Sequence, residues 1–126
     1  EKLTLQRAAV IGRVFFDRAL QVLDHADDSH VADLPRVLHD LAAHGFIERH
    51  ETSSFADTVE YSFTQAMLRD LIAETLVSRQ RQIYHRAAAD WLAGGERAGE
   101  YAVLIAEHYE QASGADRSTA QLHAKQ

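Results

Sequence analysis

The spacing of hydrophobic residues changes near the middle of the chain from alternation to a helical period. Val59, Tyr61 and Phe63 alternate with polar residues, which is typical of a half-buried strand. The next residues repeat at three and four positions, which predicts an amphipathic helix with a buried apolar stripe. The stripe consists of Met67, Leu68, Leu71, Ile72 and Leu76. Because a buried unpaired charge is costly, the substitution Leu71→Asp is predicted to unfold the chain.

The first half of the chain predicts three short helices, whose boundaries follow from capping residues. The helices cover Leu3–Val14, Arg18–Leu23 and residues 34–44. Their candidate N-caps are Thr4, Asp17 and Asp33. Gly12 lies within the first helix and is expected to mark either its end or a close packing contact. Gly45 is expected to end the third helix in a left-handed conformation. The polar run Asp24–His30 is predicted to be a loop.

Two short strands follow the third helix. They are predicted at Phe46–His50 and Val59–Phe63, and the polar stretch Glu51–Thr58 forms the loop between them. Three short helices followed by a two-stranded hairpin is the element order of a winged helix, in which this loop is the wing. Residues 1–77 are therefore predicted to form a winged-helix domain.

The second half predicts further helices separated by glycines. Thr64 and Ser78 are candidate N-caps of the fourth and fifth helices, and Gly94 and Gly95 end the fifth. A sixth helix is predicted at Arg97–Ala112, and a seventh beyond the next glycine. Antiparallel helices of this length resemble tetratricopeptide-like arrays, so residues 78–126 are predicted to begin such a segment. The predicted fold class is mainly α with a small β-hairpin.

Composition excludes several classes of protein. The 126 residues include no cysteine, which excludes disulfides and thiolate metal sites. No apolar run reaches membrane-spanning length, and no signal peptide is present. We therefore expect a cytoplasmic protein with no membrane contact. Because the chain starts at Glu1 without an initiating methionine and stops at Gln126 among helix-forming residues, we expect a piece of a longer protein.

The formal net charge of −6 is unevenly distributed along the chain. Residues 1–65 carry a net charge of −5, and the helical stretch 66–95 carries +1. Nucleic-acid binding depends on neutralising phosphates, so an acidic winged helix is a poor DNA binder. The third helix, which would enter the major groove, offers Arg36 as its one unambiguous cation beside Asp33 and Asp40.

The sequence contains no self-sufficient catalytic constellation. It lacks a G-x-x-x-x-G-K-[ST] phosphate loop and a G-x-S-x-G nucleophile motif. Eight histidines are present, but none pair at i and i+4 on a predicted helix, so packed, hydrogen-bonded histidines are favoured over metal ligands. They are His25, His30, His39, His44, His50, His85, His108 and His123. Arg79, Arg81 and Arg86 form one basic stretch, interpreted as a solvated helix face, with partner or phosphate binding as the alternative.

Three segments share a pattern with a known family. They are Gln6–Phe15, Leu38–Ile47 and Tyr61–Asp70, the last followed by Glu74, Leu76, His85, Ala89 and Trp91. Together they resemble the winged-helix and tetratricopeptide-like region that follows the ATPase core of STAND/AAA-type signal-transduction ATPases. Such regions occur in bacterial multidomain regulators and in predicted ATPases linked to adenylate or guanylate cyclases. The resemblance covers nearly the whole chain.

The resemblance implies that a nucleotide-binding core, holding ATP or ADP, lies upstream in a neighbouring domain. In the family, a histidine at the strand-to-helix junction approaches the phosphate of the nucleotide. Gln65 occupies that position here, and its amide can donate a hydrogen bond but carries no charge. Arg69, one turn later, is the second candidate for a nucleotide contact. The alternatives are an ordinary first-turn polar residue at Gln65 and a structural ion pair at Arg69.

Two functions from different classes follow from these observations. The first is a non-catalytic regulatory module without a cofactor of its own. It would relay nucleotide state from the upstream ATPase domain to downstream helical repeats or another protein partner. The second is a DNA-binding winged-helix transcriptional regulator. A fragment of a cyclase-linked enzyme is a weaker third possibility, whose chemistry would lie in other domains.

Overall fold

The computed structural model of the chain describes residues 1–113. In order, the elements are α1 (Lys2–Ile11), β1 (Val14–Phe16), α2 (Asp17–Ala26), α3 (Leu34–Ala43), β2 (Ile47–Arg49), β3 (Glu60–Phe63), α4 (Ala66–Glu74), α5 (Ser78–Ala93), a 3₁₀ turn (Ala98–Tyr101) and α6 (Ala102–Ala112). No helix within these residues is long and apolar enough to cross a bilayer. The predicted break at Gly114 and the predicted seventh helix lie outside the described residues.

The three strands form one antiparallel sheet in the order β1, β3, β2. Strands β2 and β3 are the predicted hairpin, with Ile47 opposite Phe63, and the predicted fold class of mainly α with a small hairpin is confirmed. The first strand was not predicted, because the first helix was expected to run to Val14. Instead α1 ends at Gly12, whose φ of 148° is easily adopted only by glycine. The chain then turns into β1, which places Phe15 opposite Tyr61.

The predicted ends of α3 are confirmed. Asp33 accepts a backbone N–H from its first turn, and Gly45 follows the helix at a φ of 81°. The second helix extends to Ala26, beyond its predicted end, so part of the predicted loop is helical. Asp17 is its first residue rather than its cap, and its carboxylate accepts the N–H of Val59 at 2.9 Å. This bond attaches α2 to the start of β3.

Three other predicted N-caps are wrong. Thr4 lies buried within α1, and Ser78 is already the first residue of α5. Thr64 precedes Gln65, which is the N-cap residue of α4. The hydroxyl of Thr64 donates to the carbonyl of Gly45 at 2.8 Å. Thr64 therefore lies one residue before the cap position of α4, and its hydroxyl bonds to the end of α3 instead.

The hydrophobic core lies between α1, α2, α5 and the inner face of the sheet. The inner face of α5 carries Tyr84, Ala88 and Leu92, which are all buried. Helix α5 packs on α1 and α2 on one side and on α6 on the other. The core therefore extends across the predicted boundary after residue 77, and the division into two domains at that point stays a prediction.

The prediction for α4 is wrong on one flank. Met67 and Leu71 are 72% and 56% exposed, although both were placed in the buried stripe. Helix α4 rests on α1 and β3 with one flank only. That flank carries Leu68 and Ile72, which are partly buried, and Leu76 beyond the helix is fully buried. Leu71→Asp is therefore not expected to unfold the chain, since the new carboxylate would meet water.

Candidate functional site

The junction between β3 and α4 holds the first predicted site residue. Strand β3 ends at Phe63, and Gln65 then takes an extended conformation, with φ −134° and ψ 127°, before α4 begins. The side chain of Gln65 is exposed and makes no capping bond. Among the described residues no hydrogen bond to its amide is found. Gln65 is therefore free to bind a group outside the described part of the chain.

The second predicted site residue, Arg69, is turned inward. Its Nε donates to the carbonyl oxygen of Ala9 at 2.9 Å, and its Nη1 donates to Asp70 at 3.1 Å. Ala9 lies in the last turn of α1, where carbonyl oxygens lack helical partners and a cation is favourable. Arg69 therefore joins α4 to the end of α1. No hydrogen bond between the side chains of Gln65 and Arg69 occurs in residues 1–113.

Arg69 also lines a cleft of about 360 Å³ between the end of α1 and helices α5 and α6. His85 of α5 and His108 of α6 meet in its wall, with 2.8 Å between their Nδ1 atoms and 5.0 Å between ring centroids. At this distance one ring donates its Nδ1 proton and the other accepts it. The predicted role of packed, hydrogen-bonded side chains is confirmed for these two histidines.

The histidine pair is held in its neutral form. Burial, together with the charges of His108, Arg69 and Arg81, lowers the pKa of His85 to about 4, and burial is the largest cause. Burial is also the main cause of the lowered pKa of His108. One proton lies between the two Nδ1 atoms, and protonating either ring further would place a positive charge near Arg69. The wall of the cleft thus contains a hydrogen bond between His85 of α5 and His108 of α6, and this contact is called the α5–α6 seam.

An aromatic contact between the wing and the helices was not predicted. The ring of Phe55 lies 5.0 Å from Trp91 of α5 and 5.1 Å from Tyr101 of the 3₁₀ turn, measured between centroids. Beneath it a cavity of about 570 Å³ opens between the wing and the end of α5. An isolated Phe in a polar loop is the only sequence signal for this contact. Its partners lie far along the chain, so spacing could not identify them.

Metal binding was sought among the side chains of the described residues. Within residues 1–113, no group of three or more His, Cys, Asp or Glu side chains could hold a metal ion.

Comparison of the chain with protein-family models, curated proteins and solved structures found no match in any of the three.

Proposed function

We propose that this chain is a non-catalytic regulatory module of a multidomain signal-transduction ATPase in the cytoplasm. Residues 1–77 would be its winged helix, and residues 78–126 would begin a tetratricopeptide-like segment. The module would relay the nucleotide state of an upstream ATPase domain, which holds ATP or ADP, to downstream helical repeats. The order of α1, α2 and α3 followed by the β2–β3 hairpin supports the winged-helix assignment.

The position of the wing carries this proposal. A DNA-binding winged helix needs exposed cations on its third helix, and a free wing adds contacts to the backbone. Here Phe55 holds the wing against α5 and the 3₁₀ turn. The exposed side of α3 presents Arg36 together with Pro35 and His39. These surfaces favour contacts with protein over contacts with nucleic acid.

Gln65 is the better of the two candidates for contact with a neighbouring nucleotide. It is exposed at the N-terminus of α4, where free backbone N–H groups and the helix dipole favour an anion. Arg69 already binds Ala9 and Asp70, so its supported role is to hold α4 on α1. We therefore assign the contact to Gln65 and the positioning of its helix to Arg69.

The test combines the isolated chain with a longer protein that contains it. The isolated chain is expected neither to hydrolyse ATP nor to shift random duplex DNA at near-physiological salt. In the longer protein, Gln65→His should change nucleotide affinity or exchange rate, because an imidazolium adds charge beside the phosphate. The matched control is Gln21→His, which alters an exposed glutamine on α2. Turnover by the isolated chain, or equal exchange rates for both variants, would contradict the proposal.

A further inference from the structure

The wing, residues 51–58, is an ordered turn. Thr58 Oγ1 donates to the carbonyl oxygen of Phe55 at 2.7 Å, and the hydroxyl of Ser53 lies 2.6 Å from Thr58 Oγ1. The N–H and hydroxyl of Ser54 both donate to Glu60 at the start of β3. These bonds fix the loop on its own hairpin. The position of the Phe55 ring is therefore set before it meets the helices.

Phe55 contacts residues from both halves of the chain. Its ring packs edge-on against Phe16 of β1 at 4.8 Å and against Trp91 of α5 at 5.0 Å. It also lies 5.1 Å from Tyr101, where the 3₁₀ turn leads into α6. One side chain thus joins the sheet, the end of α5 and the start of α6.

Arg97 closes this contact from the solvent side. Its guanidinium lies 5.9 Å from the centre of the Phe55 ring and 5.6 Å from that of Tyr101. It also donates to the carbonyl oxygen of Ser54 and, at 2.7 Å, to Glu100. A guanidinium can stack and donate in several directions at once, which a lysine cannot do. Arg97 therefore fastens the wing from the helical side.

Beyond Phe55, the wing is also held to α2, where Nε of Arg18 donates to the carbonyl oxygen of Asp57 at 3.1 Å. The cavity of about 570 Å³ separates Ala56, Asp57 and Thr58 from Gly94 and Gly95 at the end of α5. The wing is thus attached to α5 and the 3₁₀ turn at its Phe55 end and to α2 through Arg18, with open space beside the end of α5. Separating Phe55 from its partners would break a small set of contacts and leave the core of α1, α2 and α5 intact.

We propose that the wing is a strap that couples the β2–β3 hairpin to the α5–α6 pair. With Phe55 seated, a displacement of the hairpin is transmitted to the 3₁₀ turn and α6. With Phe55 withdrawn, α6 and the turn move independently of the sheet. The coupling belongs to the chain itself and does not depend on a neighbouring ATPase. Its test therefore needs no nucleotide, and its failure is distinguishable from failure of the proposed function, which is measured as nucleotide exchange in the longer protein.

The experiment compares Phe55→Ala with Phe46→Ala in the whole 126-residue chain. Phe46 is 41% exposed and its one described ring contact is with His44, so it controls for the loss of a phenyl group. Phe55→Ala should speed amide hydrogen exchange in the 3₁₀ turn and α6 at least tenfold, with a smaller change in α1. In Phe55→Ala, the fluorescence of Trp91, the single tryptophan, should change at a lower urea concentration than the far-UV circular dichroism signal does.

Arg97→Ala provides a second variant, compared with Arg79→Ala, which removes an exposed arginine outside the strap. It should produce the same early fluorescence change and faster exchange in α6. If Phe55→Ala does not fold, Arg97→Ala decides the outcome. Two results together would disprove the strap. Each folded variant would show one coincident unfolding transition by fluorescence and circular dichroism, and its exchange rates in α6 would equal those of the wild type.

Discussion

At the scale of single residues, Arg7 is the side chain that composition and periodicity describe least well. Its guanidinium is 1% exposed, on a helix whose residues from Gln6 to Ile11 are all buried. It donates to Asp24 at 2.5 Å and to the carbonyl oxygen of Ser29, and it lies 5.3 Å from the ring centre of Tyr84. Tyr84 in turn donates to Asp27. A buried charge of this kind is tolerated because both Nη atoms have anionic or carbonyl partners, although Nε has none among the described residues.

Arg7→Ala is predicted to destabilise the fold by about 3 kcal/mol, which is typical for breaking a buried ion pair. The loss arises because Asp24 and Asp27 would remain partly buried without their cation. Arg13→Ala removes an exposed arginine and should change stability by less than about 0.5 kcal/mol. Urea unfolding of both variants measures the difference. Equal midpoints would show that the Arg7 network contributes no net stability.

At the scale of elements, α4 shows where sequence periodicity stops being informative. Its apolar residues follow a helical period, and a period indicates which residues share a face. It does not indicate how much of that face is covered. In the fold one flank rests on α1 and the other, with Met67 and Leu71, faces solvent. Helix amphipathicity therefore predicted the element correctly and its burial only in part.

The difference in exposure between Leu76 and Leu71 allows a direct test of how α4 packs. Leu76→Ala should destabilise the fold by about 2–4 kcal/mol, because it leaves a cavity at a side chain that is 3% exposed. Leu71→Ala should cost less than about 0.5 kcal/mol, because its side chain is already largely in water. Both substitutions remove the same atoms, so each is the control for the other. Similar losses in chemical denaturation would contradict the packing described for α4.

The α5–α6 seam predicts an acid-sensitive stability. The pKa of His85 is about 4 in the folded chain and 6.5 ordinarily, so the unfolded chain binds more protons between these values. The stability from neutral His85 is therefore complete above about pH 6.5 and is lost as the pH falls toward 4. The loss should be on the order of 1–2 kcal/mol, allowing for solvent screening of a partly exposed ring.

Free energies of unfolding measured from pH 7 to pH 4.5 would check this dependence. In His85→Leu the decline should be shallower than in the wild type, with His108 still contributing. His39→Leu alters an exposed histidine on α3 and should keep the wild-type slope. Identical slopes for all three proteins would mean that His85 does not titrate below its ordinary value.

Most of the element order could be read from the sequence, and the exceptions have a common cause. Asp33 and Gly45 predicted the ends of α3, because capping depends on neighbours in sequence. Strand β1 was missed because three residues are too few to show alternation. The contacts of Phe55 and of the histidine pair join residues far apart in the chain. Such pairs are decided by tertiary packing, and periodicity carries no information about them.

At the scale of the whole molecule, one core connects residues 1–77 to the helices that follow them. Helix α5 contributes Tyr84, Ala87 and Ala88 to the cluster that also contains Leu20 and Leu23 of α2. The hydroxyl of Tyr84 reaches Asp27 at the end of α2, and Phe55 joins the wing to Trp91. Two segments that look separable in sequence therefore share their packing.

Residues 1–77 alone are predicted not to fold cooperatively. Without α5, the apolar side chains of α1 and α2 that it covers would face water, at a cost of roughly 25 cal/mol for each Å² exposed. Small domains have only a few kcal/mol to lose. The truncated chain should therefore show broad amide resonances and no sigmoidal melt. Adding a peptide of residues 78–126 in excess should restore both signals by mass action.

The control for complementation is the same peptide carrying Tyr84→Asp. It keeps the length of the peptide but places a charge in the core, so it should not restore folding. A sharp, independent melt of residues 1–77 would instead establish a self-sufficient domain that ends at residue 77. In that case α5 would pack on a core that is already complete, and contacts such as that of Tyr84 with Asp27 would not be needed for residues 1–77 to fold.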